Sequence, residues 1–406
     1  MRIKLTTLTP IHIGDGNSLK PLSYIVDKGW VYVLDIERLL ADFSEKERES
    51  FLNWMENLLA QIENIEEKIK SAGDNFEILR RLKKQKREIE QRLDIHWFLK
   101  NRLGANLSSI VEKFCLYRIP FEVQPTQDGF KTCLKTPSFN PYIPGTEIKG
   151  ALRTAFLSFF LTQDKTFFKE VETKIKEYYQ KIHKSGLSPQ NKRKKLEQIA
   201  KELESKILCC GRSDAKYDFF KFISIADTQP LPLNSLKIYL TQSLATKRYT
   251  RTWLETISAG VEVIATLNIE KKSSLLEKLG HKKFEKYLSL DEFFNICFYK
   301  AKTILEHEEK YFRNYPEIFK KIQFLKTQNR PETPLLRLGA GQGFLSITVD
   351  LKLKQDSPQV YEMLRQAISF IRRWRTKEEF PKTRRVITNT MGEPKNLLGW
   401  VKLEKL

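Results

Sequence analysis

The spacing of apolar positions changes along the chain, and each spacing predicts a different kind of element. Residues 3–9 alternate in a strand-like pattern, and the turn-forming residues 14–17 follow them. The Lys28-Gly29 pair lies between two further strand-like runs and predicts a hairpin. From about residue 45 to residue 103 the apolar residues recur at spacings of three and four, which predicts an inserted hairpin of two helices.

Beyond residue 103, short apolar runs and longer amphipathic stretches alternate irregularly. Strands are predicted at 117–123, 131–135, 219–226, 235–240, 260–269, 385–388 and 398–403, and helices at 146–161, 165–206, 290–311 and 357–375. This order predicts an α+β protein rather than a regular series of parallel βαβ units. The basic run 192–195 follows Ser188-Pro189, which is consistent with an exposed basic loop.

The composition adds a strong positive charge to this picture. The chain has 406 residues, of which 41% are hydrophobic, and its 71 Lys and Arg against 50 Asp and Glu give a net charge of +21. A globular protein with this surplus attracts polyanions, because each neutralised phosphate releases counterions. Nucleic acid is the favoured partner class, and an anionic membrane surface is the alternative.

Signals for secretion, membrane insertion and metal binding are weak in this sequence. The chain starts with a strand-like run rather than an apolar leader, and no apolar stretch reaches the ~20 residues of a membrane helix. The five cysteines form no CxxC pair, although Cys209 and Cys210 are adjacent. We therefore expect a cytoplasmic protein with reduced thiols, no disulfide framework, no metal and no cofactor.

A glycine-rich segment at 337–344 is the sharpest local motif. Gly339, Gly341 and Gly343 stand at alternate positions after an apolar run, next to Arg337. Glycines permit positive φ and a close approach of the backbone to a phosphate. The GxGxG spacing differs from the dinucleotide fingerprint, so we predict a loop that cradles RNA phosphates. The alternative is a tight turn whose glycines serve packing.

A second motif covers residues 143–154. Thr146 is a candidate N-cap, and Lys149 and Arg153 share one face of the predicted helix. A helix start also attracts anions, so this segment is a candidate phosphate site. Ala151-Leu152 occupies the place of Lys-Ser/Thr in a P-loop, which disfavours nucleotide hydrolysis. The alternative is an amphipathic helix with solvated basic residues.

Basic and aromatic residues also alternate in two further segments. Arg248 and Arg251 flank Tyr249 and precede Trp253, and the run 372–375 combines three arginines with a tryptophan. Such segments offer phosphate contacts together with surfaces on which bases stack. Each tryptophan could instead anchor the core.

Residues suited to catalysis are sparse. The five histidines, His12, His96, His183, His281 and His307, are dispersed and form no HExxH motif. His12 borders the predicted turn at 14–16 and could approach RNA, although a packed histidine is the simpler explanation. Asp27, Asp35 and Asp42 have no spacing that requires a metal ion.

Three segments together resemble the RAMP superfamily of CRISPR-associated proteins. They are Thr9-Pro10-Ile11-His12-Ile13-Gly14-Asp15-Gly16, the segment from Ile143 to Arg153, and the glycine-rich segment 337–344. The resemblance implies an α+β fold with an RRM-like (ferredoxin-like) core and large helical insertions. It divides the chain into 1–44 (start of the core), 45–103 (helical hairpin), 104–162 (core with the motif helix), 163–212 (basic helical insertion), 213–350 (core ending in the glycine loop) and 351–406 (last helix and basic tail).

Within that superfamily the chain is most similar to the capping subunits of type III-A (Csm) effector complexes. Residues 21–27, the Ile225-Ala226-Asp227-Thr228 segment and the long insertions carry this similarity. It implies a non-catalytic subunit that binds the guide RNA (crRNA) near its 3′ end, through Lys149, Arg153 and the loop glycines.

The implied partners are crRNA, the neighbouring RAMP backbone subunit, nearby target RNA and, in some systems, host nucleases that trim the guide. One alternative is a RAMP endoribonuclease that cleaves guide precursor or target RNA through an acidic loop or His12. Another is a basic scaffold that acts through protein contacts.

Overall fold

Helices and strands are interleaved along the chain, and the computed structural model describes residues 1–73, 75–184, 186, 188–212, 214–244, 250–372 and 381–406. The strands are β1 Arg2–Thr7, β2 Gly14–Leu19, β3 Tyr24–Asp27, β4 Trp30–Leu34, β5 Cys115–Pro120, β6 Phe130–Cys133, β7 Ile223–Ile225, β8 Leu236–Ser243, β9 Arg251–Ile257, β10 Glu262–Ile269, β11 Leu335–Arg337, β12 Arg385–Thr388, β13 Pro394–Asn396 and β14 Trp400–Lys405. The helices are α1 Ile36–Asp42, α2 Glu45–Ser71, α3 Phe76–Glu90, α4 Ile95–Asn101, α5 Leu107–Phe114, α6 Gly145–Gln163, α7 Lys165–Lys184, α8 Pro189–Leu208, α9 Ser273–Leu279, α10 Leu290–Tyr311, α11 Pro316–Gln328, α12 Phe344–Ile347, α13 Asp350–Asp356 and α14 Pro358–Arg372. The predicted mixture of α and β structure is confirmed.

The first and the last of these strands are neighbours in the main sheet. Its order is β11-β14-β1-β10-β7, and every pair is antiparallel. Ile3 and Leu5 of β1 point into the core and are almost inaccessible. Lys4 points to the opposite face, where it forms ion pairs with Glu262 and Glu404. The alternation of apolar and polar side chains along β1 thus decides which face of the sheet is buried.

Helices α6 and α10 cover the buried face of the main sheet. Ile148, Leu152 and Phe156 are buried at spacings of four along α6, which places them on one side of the helix. Phe293 and Ile296 of α10 belong to the same core cluster as these side chains and β1. This packing fixes the start of α6 close to the main sheet.

A second sheet has the order β13-β12-β8-β9-β6-β2, and β6 and β9 are its parallel pair. Strand β9 corresponds to part of the basic and aromatic segment that we considered as an RNA-binding run. Trp253 in this strand is buried, and its indole N–H donates to the carbonyl of Val123 at 3.1 Å. Trp253 therefore anchors the core, as the alternative interpretation held.

The turn predicted at residues 14–17 is wrong, because this segment is strand β2. Its pairing with β6 shifts in register between Gly14 and Ser18, which marks a bulge. The Asp15 carboxylate accepts the backbone N–H of Asn17 at 2.9 Å. Turn-forming residues here make an irregularity within a strand.

Helices α1 to α5 lie beside a three-stranded sheet of order β3-β4-β5. The Lys28-Gly29 turn joins β3 and β4 with φ values of 45° and 84°, as the predicted hairpin requires. Helix α2 begins with a capping box between Ser44 and Glu47. Helices α1 to α5 and this sheet share a hydrophobic core, which includes Trp54, Leu58, Phe98, Leu99 and Phe114.

The basic run 192–195 lies inside α8, so the interpretation as a loop is wrong. The Ser188 hydroxyl accepts the N–H of Asn191 at 3.3 Å, and Pro189 occupies the first helical position. Serine followed by proline therefore starts a helix here, because both residues suit its first turn. Among the described helices none has the length and apolar character needed to cross a membrane.

Candidate nucleic-acid interface

The three motifs that are far apart in the sequence meet at one place in the fold. The carbonyl of His12 accepts the N–H of Ala340 at 2.8 Å. The carboxylate of Glu147, at the start of α6, accepts the N–H of Gly339 at 2.8 Å. The glycine loop, residues 339–343, is thus attached to both other motifs.

The glycines of this loop have the positive φ that the sequence predicted, at 68°, 84° and 78° for Gly339, Gly341 and Gly343. A Cβ on Gly339 would lie 2.3 Å from the carbonyl oxygen of His12, and one on Gly341 would lie 2.8 Å from Leu398. Close packing inside the protein therefore requires the first two glycines. Gly343 is exposed, so only its positive φ, and not close packing, favours glycine at this position.

Arg337 lies beneath the glycine loop rather than on the surface. It is 5% exposed, its Nε donates to the carbonyl of Leu398 at 3.2 Å, and its Nη2 donates to the carbonyl of Gly341 at 3.0 Å. Its guanidinium carbon also lies 5.3 Å from the ring centre of Trp400. Burial lowers the pKa of Arg337 to about 10, so it remains charged at neutral pH. Arg337 therefore supports the loop from inside.

A cavity of about 150 Å³ lies between the glycine loop, α6 and α10, and we name it the glycine-loop pocket. Its lining includes Arg337, Lys300, Gln342, Ser346 and Gly150. Among the described residues, neither Nη1 of Arg337 nor the hydroxyl of Ser346 has a hydrogen-bond partner. Two buried donors without acceptors, next to a lysine, suit an anion of phosphate size.

Lys300 and Ser346 are functional candidates that lie outside every sequence motif. The Lys300 ammonium donates to the carbonyl of Thr348 at 2.8 Å, and burial lowers its pKa to about 8. One signal was available: Lys300 follows Ile296 by four positions on the apolar side of α10. A lysine in an apolar helical stripe is unusual and marks a position to examine.

Lys149 and Arg153 do not line the glycine-loop pocket. They lie on an adjacent face of α6, where the Arg153 guanidinium pairs with Glu204 at 2.8 Å and with Asp218 at 2.6 Å. Lys149 is half-buried, and desolvation lowers its pKa. Two carboxylates thus already hold Arg153, while Lys149 has no ion-pair partner among the described residues.

The beginning of α6 differs from its prediction. Thr146 is not the N-cap, because the helix begins at Gly145 after Pro144 and has no capping side chain there. The Asp227 carboxylate instead accepts the N–H of Gly145 at 2.8 Å. A carboxylate of the protein itself therefore occupies the anion position at this helix start.

His12 is buried at 4% exposure and is oriented by the protein. Its Nδ1 lies 2.7 Å from the carbonyl oxygen of Glu255, so this nitrogen carries the proton and donates. Burial lowers the pKa of His12, which favours the neutral form of the ring. The imidazole therefore supports the first motif from within, and its position does not favour a general base.

The other predicted RNA contacts lie elsewhere or outside the described residues. Arg251 is exposed on β9, where its Nη2 lies 3.5 Å from the carbonyl of Thr390. Arg248 and residues 373–375 lie outside the described part of the chain. Within the described residues no group of three or more His, Cys, Asp or Glu side chains could hold a metal ion.

Comparison with known proteins agrees with the motifs. The sequence model of the RAMP superfamily matches residues 4–374. The chain is 24% identical over 382 residues to the CRISPR system Cms protein Csm5 of Methanocaldococcus jannaschii. The aligned region covers 89% of this chain and 76% of the relative.

Two solved structures have a similar fold. One is a chain of the cryo-EM structure of a Csm–crRNA–target RNA ternary complex of a type III-A CRISPR-Cas system, with a TM-score of 0.68, 21% identity and 100% coverage of both chains. The other is the crystal structure of T. onnurineus Csm5, with a TM-score of 0.61, 19% identity and coverage of 98% of this chain and 99% of that one. The resemblance inferred from the motifs is confirmed.

Proposed function

This chain belongs to the RAMP superfamily, and we propose that it is a non-catalytic crRNA-binding and assembly subunit of a type III-A CRISPR effector ribonucleoprotein. In this proposal it caps the subunit filament at the crRNA 3′ end and supports crRNA maturation. Support comes from the Csm5 relative and from the similar chain in a complex that contains crRNA and target RNA.

The proposed partners are crRNA, the neighbouring RAMP backbone subunit, nearby target RNA and, in some systems, trimming nucleases. A cytoplasmic setting belongs to the same proposal, and the free state of all five cysteines is compatible with it.

An RRM-like (ferredoxin-like) core is part of this proposal. Such a core follows the order β-α-β-β-α-β, and its first and third strands lie at the centre of the sheet. Here β1, α6, β7, β10, α10 and β14 follow one another in that order. Their sheet order, β14-β1-β10-β7, supports the assignment.

The observation that carries the RNA-binding role is the glycine-loop pocket. We assign it to a phosphate of the guide RNA, which would accept from the Nη1 of Arg337 and the hydroxyl of Ser346. Lys300 would supply a second positive charge. Glu147 also lines the pocket, but its carboxylate already accepts the N–H of Gly339.

A test of this assignment replaces Lys300 by Met and uses Lys320→Met as the matched control. Both variants lose one positive charge. Lys320 lies on α11, outside the pocket, with 77% of its side chain exposed. We expect Lys300→Met to bind single-stranded guide-like RNA roughly ten- to 150-fold more weakly, because hydrogen bonds to charged groups contribute about 1.5–3 kcal/mol. The slope of log K against log salt should also fall by about 0.7 for one lost phosphate contact. Fluorescence anisotropy over a range of salt concentrations measures both quantities.

Equal affinities and equal salt slopes for the two variants would overturn the assignment of the pocket. The same mixtures, incubated with Mg²⁺ or EDTA and run on denaturing gels, test the non-catalytic role. Intact RNA in both conditions is expected. Discrete products would instead indicate an endoribonuclease, with EDTA sensitivity distinguishing a metal site from His12.

A further inference from the structure

The helical insertion contains a cleft of about 980 Å³ that shares no residue with the glycine-loop pocket. Trp54 of α2 and Trp97 of α4 stack in this tryptophan cleft, with ring centres 6.3 Å apart and an interplanar angle of 20°. Trp54 is buried in the core of the insertion, whereas Trp97 is 43% exposed. The stack therefore ends in a ring that is open to solvent.

The walls of the tryptophan cleft are mainly polar. Apart from Trp54, Trp97 and Leu58, its lining consists of polar side chains, several of them amides. Arg92 and Arg102 also line it, and neither has an ion-pair partner among the described residues.

Two carboxylates reach the tryptophan cleft. That of Asp94 caps α4 by accepting the N–H of Trp97 at 3.2 Å, and Glu49 lies on α2. With Lys46, Arg92 and Arg102 on the same lining, positive charge exceeds negative charge by one.

Gln127 gives an independent indication of a ligand. This residue lies between β5 and β6 and contributes to the lining of the tryptophan cleft. Its Oε1 atom is buried and has no hydrogen-bond donor among the described residues. A buried acceptor without a donor is costly unless a ligand or water supplies one. The N–H groups at the pairing edge of any of the four RNA bases would satisfy it.

We propose that the tryptophan cleft binds a base of single-stranded RNA, which stacks on Trp97. The amide side chains and the Oε1 of Gln127 would contact the edge of the base, and Arg92 and Arg102 would contact flanking phosphates. An apolar peptide fits less well, because few of the lining residues are apolar. This site lies apart from the glycine-loop pocket, so neither proposal depends on the other.

The test compares Trp97→Ala with Phe76→Ala in the full chain. Phe76 is the matched control, because it is an aromatic residue of the same insertion, 70% exposed and outside the cleft. The probes are a single-stranded RNA of about ten nucleotides and an abasic analogue with the same phosphates. We expect Trp97→Ala to weaken binding of the base-bearing RNA by roughly five- to 150-fold, as measured for base–aromatic stacking, and to leave the abasic analogue unaffected. Trp97→Phe should restore most of the affinity.

Measurement in a Lys300→Met background separates the two proposals. The effect of Trp97→Ala should be equally large there, because distant sites act additively. Equal RNA affinity for Trp97→Ala and Phe76→Ala would overturn the base-binding proposal, whatever the result at Lys300. Loss of a protein partner together with unchanged RNA affinity would also overturn it, since the cleft would then be a protein-docking surface. Unaltered thermal unfolding of both variants is the folding control.

Discussion

The fold brings the pKa of Lys300 close to neutral pH. Desolvation lowers its pKa from 10.5 to about 8. Burial raises the pKa of the nearby Asp350 to about 6, so that carboxylate is ionised above this pH and favours the charged lysine. Because the folded pKa of Lys300 lies below the unfolded value, its contribution to the free energy of unfolding rises with pH between about 8 and about 10.5.

The RNA affinity of the chain should change with pH in the opposite direction. A phosphate in the glycine-loop pocket requires the ammonium form of Lys300, so binding should weaken as the pH rises from about 7 to about 9. Lys300→Met should abolish this part of the pH dependence, whereas Lys320→Met should retain it. Anisotropy titrations at constant ionic strength measure the effect. A pH profile shared by all three proteins would contradict the role given to Lys300.

At the scale of elements, local signals predicted some segments closely and misled in others. Helix α10 has the limits 290–311 that its apolar periodicity predicted, and Ser289 caps it. The segment around Trp253 was considered for RNA binding because its basic and aromatic residues are adjacent, yet Trp253 packs in the core as part of β9. Sequence neighbours on a strand point to opposite faces, so adjacency in sequence did not mean a shared surface.

The candidate site was predictable in outline but not in its charges. The motifs at His12, Glu147 and the glycine loop meet, as their joint resemblance to one family implies. Arg153, in contrast, is held by Glu204 and Asp218, which lie 51 and 65 residues away along the chain. No local pattern reveals such partners. For Lys300 a local signal did exist, because this lysine lies on the apolar side of α10.

Two Gly→Ala substitutions near the start of α6 should change the free energy of unfolding in opposite directions. Gly145→Ala would place a Cβ 2.0 Å from the carbonyl oxygen of Ile225, whereas a Cβ at Gly150 meets nothing within 4 Å. We expect Gly145→Ala to lower the free energy of unfolding by about 1–3 kcal/mol through overpacking. Gly150→Ala should raise it by about 0.5–1 kcal/mol, as for glycine inside a helix. Urea denaturation compares the two, and effects of the same sign would refute the close approach of α6 to β7.

For the molecule as a whole, the main sheet joins its two ends. The N–H of Leu406 donates to the carbonyl of Arg2 at 3.2 Å, and β1 lies between β10 and β14. Helices α1 to α5 pack in a hydrophobic core that is separate from the core of the main sheet. The two proposed RNA sites therefore lie in units with separate hydrophobic cores.

A circular permutant tests this arrangement of the ends. Joining residues 406 and 1 by a short linker, with new ends opened between α2 and α3, should preserve folding, because neighbouring termini tolerate such rearrangement. We expect thermal unfolding close to that of the parent and unchanged RNA binding. The control opens the chain within β10, which should prevent folding. Failure of the first permutant would contradict the pairing of β1 with β14.

The position of β14 also has a consequence for synthesis on the ribosome. The glycine loop contacts His12 near the first strand, while Arg337 beneath it needs the carbonyl of Leu398 and the ring of Trp400. The ribosome delivers these last residues after every other part of the site has been translated. A nascent chain that lacks these residues therefore cannot present the finished pocket to RNA, so guide loading at this pocket requires their synthesis.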